Sequence, residues 1–179
     1  VAKSKSEGND LVVVLSAMAG ETTRLIDLAR EAGSRAEGGR EFDMIVSTGE
    51  QVTIALLALV LNSMGTEAVR MLGPQVPILT DSGFSSARIS KIGIANISSE
   101  IKSGRVVIVA GFQGVDSGGN ITTLGRGGSD TSAVAIAAAL GADLCEVYTD
   151  VEGVFTTDPN ICPEARKIKK ISYDEMLEM

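Results

Sequence analysis

The residues best suited to chemistry stand together in one stretch, Ile121-Thr122-Thr123-Leu124-Gly125-Arg126-Gly127-Gly128-Ser129-Asp130. Residues 131–140 then turn small and apolar, close to ideal for a buried helix. Ser129 is the predicted N-cap of that helix, and Gly141 sits where it should end. A glycine-rich loop therefore feeds a helix N-terminus, where outward N–H groups and the positive end of the dipole favour an anion. Arg126 adds a planar fork suited to a carboxylate or phosphate. Asp130 falls in the first turn. Donors, a fork and an acid on one loop suit a zwitterionic ligand better than a plain phosphate. A capped core helix with an exposed arginine is the other reading of the same residues.

Composition removes several chemistries. The chain has 179 residues and no histidine, which excludes a Ser-His-Asp triad, a Cys-His pair and most zinc sites. Cys145 lies in an apolar pattern and is expected in the core, while Cys162 lies in a Pro-flanked loop, so the two form no metal-spaced pair. A net charge of -7, with no basic cluster interleaved with aromatics, argues against nucleic acid as a partner. No signal peptide and no apolar run of membrane length are read, so no membrane is expected and a reducing cytoplasm is the expected location. Length allows one domain with a sizeable core. Aromatics are 3% of residues, so that core must be aliphatic, as in buried parallel sheets and their covering helices.

The elements that must carry the loop follow from hydrophobic pattern. Residues 11–15 and 106–110 are continuous apolar runs, predicted as strands buried on both faces. Residues 144–149 are predicted as a third strand. Each predicted strand leaves through small or polar residues: Ser16-Ala17-Met18-Ala19-Gly20, Gly111-Phe112-Gln113-Gly114, and Thr149-Asp150. In a parallel sheet such exits share one edge and build one site. Helices are predicted over 21–32, 42–64 and 98–102, with Glu50 near the start of the long one. A carboxylate buried there needs a partner; an exposed helix acid is the alternative. Short strands are expected at 67–72 and 76–79, a hairpin-like turn at 116–120, and a final helical turn capped by Ser172. Residues 1–10 read as polar and helix-like. The basic run Arg166, Lys167, Lys169 and Lys170 reads as a solvated face.

Glycine-rich strand exits without a nucleophile or a histidine base fit phosphoryl transfer, in which the protein mainly positions groups and stabilises charge. Asp150 or Asp130 would help hold Mg²⁺ beside the phosphates. No G-x-G-x-x-G follows the first strand, and no Walker A sequence is present.

The run from Thr122 to Asp130, with Gly111-Phe112-Gln113-Gly114 before it and Thr149-Asp150-Val151 and Thr157-Asp158-Pro159 after it, resembles the aspartate kinase (aspartokinase) family. Ser16-Ala17-Met18 and Ser47-Thr48-Gly49-Glu50 match in order too, so the resemblance covers essentially the whole chain. It implies the fold of the amino-acid kinase superfamily, a three-layer αβα sandwich on a mostly parallel sheet. It implies transfer of the ATP γ-phosphoryl group to the β-carboxylate of L-aspartate, the first step toward lysine, threonine and methionine, with ATP and Mg²⁺ as cofactors in a homo-oligomer. By position, Arg126 would bind the aspartate α-carboxylate, and Glu50 and Asp130 its ammonium. Phe112, Gly127 and Gly128 would line the amino-acid pocket. Ser16, Thr22 and Ser129 would lie near the reacting carboxylate or phosphates, with Ser16, Arg126 and Asp130 as the catalytic set. Thr149, Asp150, Phe155, Asp158 and Asn160 would border the nucleotide.

Three departures shape the expectation. The family opens with a strand and a lysine-plus-glycine phosphate loop, which residues 1–10 do not supply. It places a nucleotide-contacting lysine just beyond residue 179, and commonly an arginine where Asn160 stands. Residues 1–179 are therefore expected to be a catalytic domain lacking its first strand and its C-terminal end, without regulatory domains, and weak or inactive alone. Val1 at the start agrees with a piece of a longer protein. The alternatives are a non-catalytic ligand-binding or subunit module, or a superfamily enzyme acting on glutamate, acetylglutamate, carbamate or UMP.

Overall fold

The two continuous apolar runs become adjacent strands. The computed structural model describes residues 1–33, 38–149, 153–157 and 161–172. Strand β1 (Val12–Leu15) pairs in parallel with β5 (Val106–Ala110), from Val12 opposite Val107 to Leu15 opposite Ala110. On its other side β5 pairs in parallel with β2 (Ala68–Met71), giving the order β1-β5-β2. Every residue of β5 is buried, because helices cover both faces of this sheet. Its alternate residues Val107 and Val109 pack with Ile97 of α5 (Ala95–Lys102) and Ile136 of α6 (Gly128–Leu140). Val106, Ile108 and Ala110 face the other way, onto Ile54, Ala58 and Leu61 of α4 (Thr48–Ser63). Such β-branched side chains fill a central parallel strand, and each buried one is worth about 1.5–3 kcal/mol relative to exposure. The layering of helix, sheet and helix is the one expected from sequence.

A second sheet carries the functional loop. Its order is β4-β3-β6-β7, with β3 (Ile78–Thr80), β4 (Ile89–Ile92), β6 (Gln113–Val115) and β7 (Ile121–Thr123). The β3/β6 pair is parallel and the other two are antiparallel. The turn between β6 and β7 is held by Asp116, whose Oδ1 accepts from the N–H groups of Gly118 and Asn120 at 2.9 Å each. Helix α1 (Ala2–Ser6) agrees with the helix-like reading of the first residues.

Several expectations are corrected. The long helix is two, α3 (Arg40–Val46) and α4, broken at Ser47. There the hydroxyls of Ser47 and Thr48 bond back to the carbonyls of Met44 and Ile45, and the buried Gln113 amide donates to the Ser47 carbonyl at 3.1 Å. By length and composition alone, the helical stretch Arg40–Ser63 is apolar enough to cross a membrane, contrary to the sequence reading. Asp43 and Glu50 are buried within it, and its inner face covers β5, so it serves as a core helix. Residues 144–149 form no strand: Leu144, Cys145, Val147 and Tyr148 are exposed, and an apolar pattern becomes a strand only where a neighbouring strand pairs with it. Ser129 is not the cap of α6. Gly127, at φ 71°, takes that place, so the helix starts one residue before Ser129. Gly141 ends it in the left-handed conformation, as expected.

Residues 1–145 and 146–179 form two compact units. In the second, Phe155 bridges Lys167 in antiparallel fashion, and Thr156 N–H donates to the Arg166 carbonyl at 3.0 Å. Arg166, Lys167, Lys169 and Lys170 are exposed there, as a solvated face. The helical turn expected after Ser172 lies outside the described residues.

Candidate active site

Four local features converge at the C-terminal ends of β1 and β5. The first is the paired exit itself, where Gly111 N–H donates to the Leu15 carbonyl at 3.0 Å and keeps the two strands in step past their last residues. Phe112 follows at φ 65°, a region costly for an aromatic residue. Its ring is held in the apolar cluster of Leu25, Ala29, Phe42 and Val46, between α2 (Glu21–Glu31) and α3.

The second is the loop from β7 to α6. Leu124 N–H donates to the Phe112 carbonyl at 2.9 Å, and Gly128 N–H closes a turn on the Gly125 carbonyl at 3.0 Å. Two glycines let this loop approach the strand exits. A Cβ on Gly111 would lie 2.7 Å from Ser129 Oγ, and one on Gly128 would lie 2.9 Å from the Phe112 ring.

The third is the start of α4. Gly49 lets it press on the β1 exit, since a Cβ there would stand 2.8 Å from that of Ala17. Glu50, only 3% exposed, accepts from Ala17 N–H at 3.0 Å through Oε1. Its Oε2 is buried with no hydrogen-bond partner among the described residues. Burial pushes the Glu50 carboxyl above its ordinary range, and the Ala17 hydrogen bond only partly offsets this.

The fourth is Arg126, exposed and engaged in no hydrogen bond or ion pair among the described residues. These features border an open cavity of about 260 Å³. Ser16, Thr22, Glu50, Phe112, Arg126, Gly127, Gly128, Ser129 and Asp130, nine of the residues singled out from sequence, all line it. Ala17 and Gly125 line it as well and were not foreseen. The signal for Ala17 was present: a buried Glu50 needs a donor, and strand exits offer free N–H groups. Thr149 and Phe155 belong to the second unit. Asp150, Asp158 and Asn160 lie outside the described residues.

The cavity thus places a buried carboxylate, a guanidinium, a helix N-terminus and small hydroxyls around one volume. Carboxylate and guanidinium together match a ligand that carries both an ammonium and a carboxylate. The helix N-terminus and hydroxyls match a further anionic group.

The sequence profile of the amino acid kinase family matches residues 1–179. The chain belongs to that family. Within it, the chain is similar to the aspartate kinase of Pseudomonas fluorescens (strain SBW25), at 61% identity over 180 residues, covering 100% of this chain and 44% of that protein. The chain thus spans under half the length of this curated relative. Among solved structures it is similar to aspartate kinase from Synechocystis, at 48% identity and TM-score 0.77, covering 98% of this chain and 29% of that one. It is also similar to Escherichia coli aspartokinase III in complex with aspartate and ADP, at 26% identity and TM-score 0.84. That likeness covers 99% of this chain and 51% of that one. The α/β fold with a parallel sheet flanked by helices is the fold of these amino acid kinases.

Proposed function

We propose that this chain is the amino-acid-binding part of an aspartate kinase, which forms 4-phospho-L-aspartate from L-aspartate and ATP. The observation that carries the reading is the buried, partnerless Oε2 of Glu50 in the same cavity as the unengaged guanidinium of Arg126. The identity to curated aspartate kinases supports it. Arg126 takes the α-carboxylate, and Glu50 with Asp130 takes the ammonium. The β-carboxylate of the ligand is then directed to Ser129 and the N-terminus of α6.

The chemistry needs little from the protein beyond position. The acceptor carboxylate is already ionised near neutrality, so no general base is required, in keeping with a chain that has no histidine. One carboxylate oxygen bonds to the γ-phosphorus as the bond from that phosphorus to the β,γ-bridging oxygen breaks, and ADP leaves with that oxygen. Charge spread over the equatorial oxygens is stabilised by the helix dipole, the loop N–H groups and the hydroxyls of Ser16, Thr22 and Ser129. Among the described residues no three Asp, Glu or Cys side chains converge as a metal cage. Magnesium needs none, since it is held by one or two carboxylates plus substrate phosphates; with Asp130 given to the ammonium, Asp150 is the carboxylate proposed for it. When bound, the ion would neutralise phosphate charge. Thr149, Asp150, Phe155, Asp158 and Asn160 are proposed to border the nucleotide.

The proposal extends to the first step of lysine, threonine and methionine formation in the cytoplasm, by a homo-oligomer. The exposed apolar residues Val52, Leu56, Leu59 and Val60 of α4, with Met64 just after it, support association. The test is ATP-dependent acyl phosphate formation by the complete polypeptide that carries this chain, trapped with hydroxylamine. Hydroxamate is expected with L-aspartate and not with L-glutamate or without an acceptor. Product with another acceptor alone would overturn the reading. Residues 1–179 by themselves are expected to turn over weakly or not at all.

A further inference from the structure

Asp43 is wholly buried, yet it does not line the cavity described above and pairs with no cation among the described residues. Three donors from two other elements converge on its carboxylate. Ser85 gives its N–H to Oδ2 and its hydroxyl to Oδ1, each at 2.9 Å. Thr123 gives its N–H to Oδ2 at 2.7 Å. A buried carboxylate this costly to desolvate persists only where the donors are fixed, so it fixes them in turn.

What it fixes is the base of the Arg126 loop. Thr123 is the last residue of β7, three before Arg126. Its carbonyl is held too, accepting from Ala87 N–H at 2.9 Å. The Ser85 segment also abuts the loop directly, since a Cβ on Gly125 would stand 3.1 Å from the Ser85 carbonyl oxygen. Asp43 of α3, Ser47 at the break and Glu50 of α4 stand close together along one short stretch of chain. Asp43 grips β7, the Ser47 carbonyl takes Gln113 of β6, and Glu50 takes Ala17 at the β1 exit.

We propose that Asp43 is a positioning residue that sets the separation of Glu50 and Arg126, and so the fit of the site to an amino acid's paired ammonium and carboxylate. This rests on the function proposed above. Asp43 touches no substrate in this scheme and acts only through Arg126. Its hydrogen-bond partners, Ser85 and Thr123, are not among the residues proposed to border the nucleotide.

The test uses the complete polypeptide carrying this chain, with variants Asp43→Asn, Ser85→Ala, Arg126→Ala and Asp43→Asn/Arg126→Ala. Asparagine turns one acceptor into a donor that faces donors. Asp43→Asn is expected to raise the aspartate KM about tenfold or more, as small misplacements in a site do, with the ATP KM within about twofold. Ser85→Ala removes one bond of three, and its smaller rise keeps the proposal testable if Asp43→Asn folds poorly. In the double variant the KM effects should be far from additive, because both act through one guanidinium. A merely structural role would instead lower Tm and kcat, with the ratio of the two KM values unchanged. Either that pattern or additivity with Arg126→Ala overturns the proposal. If the unaltered protein makes no aspartate-dependent product, the substrate reading has failed, and the same ratios are read with whichever acceptor is active. Absence of turnover with every acceptor overturns both.

Discussion

Glu50 accepts a hydrogen bond from the backbone N–H of Ala17 at 3.0 Å, which fastens the start of α4 to the exit of β1. The bond satisfies one carboxylate oxygen and leaves the other buried beside the cavity. Burial raises the Glu50 pKa above 4.5, so the folded protein keeps this proton to higher pH than the unfolded chain does. Glu50 therefore subtracts stability as pH rises from the ordinary glutamate value to the raised one, and the loss is complete above it. An ammonium ligand reverses that penalty. Amino-acid affinity should rise across the same interval, with a proton released on binding. Glu50→Gln should raise the aspartate KM on the order of 100-fold, as loss of one partner from a buried charge pair does. It should also flatten the pH dependence in mildly acidic buffer and leave the unliganded Tm at pH 7 no lower. A fall in Tm with unchanged KM would assign Glu50 to the scaffold alone.

Arg126 should behave in the opposite way, because it is exposed and supports no other residue. Arg126→Ala is expected to weaken aspartate binding by about 2–3 kcal/mol, within the range for hydrogen bonds to charged groups. Its Tm should stay within about a degree, as for most surface substitutions. Arg126→Lys should recover little, since an ammonium cannot reproduce the planar fork. Calorimetric titration of aspartate into each variant checks this; full recovery by lysine would show that only the charge matters.

Gly111 tests whether the cavity depends on the close approach of α6. An added Cβ would stand 2.8 Å from Ser129 Cβ and 3.0 Å from Ser129 Cα, so relaxation must move the helix start rather than a flexible side-chain end. Gly111→Ala should cost about 1–3 kcal/mol of stability, as overpacking does, and aspartate binding should fall at least about tenfold with it. Gly119→Ala is the matched control. It strains a turn residue at φ 79° that has open space around it, and should lower Tm without touching affinity. Equal affinities in the two variants would show that the approach does not shape the site.

Sequence made the central sheet and much of the cavity legible for one physical reason. Residues 11–15 and 106–110 are apolar without interruption, and only strands covered on both faces tolerate that. Their glycine-rich exits then pointed to one edge. Asp43 was not legible, because an acid in the first turn of α3 reads as a surface charge on the helix dipole. Its partners Ser85 and Thr123 lie 42 and 80 residues away. The break at Ser47 was hidden because the interrupting Gln113 is 66 residues distant. Residues 144–149 misled in the other direction: their pattern suits a strand, but strand formation is a property of pairing rather than of the segment. The start of α6 was misread because Gly127 caps through its backbone conformation, with no side-chain bond for Ser129 to signal.

The hydroxyls of Thr80 and Thr122 meet at 2.6 Å, although their strands β3 and β7 are separated by β6. They reach each other over Gly114 of β6, where a Cβ would lie 2.5 Å from Thr80 Cγ2 and 2.8 Å from the Ile78 carbonyl oxygen. The missing side chain is thus what allows a buried polar contact between non-adjacent strands. Thr122→Val leaves the buried Thr80 hydroxyl without its partner and should cost about 1–3 kcal/mol. Thr80→Val/Thr122→Val removes both groups with little change of shape, and should cost clearly less than the sum of the single variants. Gly114→Ala should be the most damaging of the set, since its clash includes backbone. Because β7 leads directly into the Arg126 loop, each variant that loosens this contact should also raise the aspartate KM. Urea unfolding of Thr80→Val, Thr122→Val and the double variant gives the coupling energy; additive costs would mean the two hydroxyls are satisfied independently.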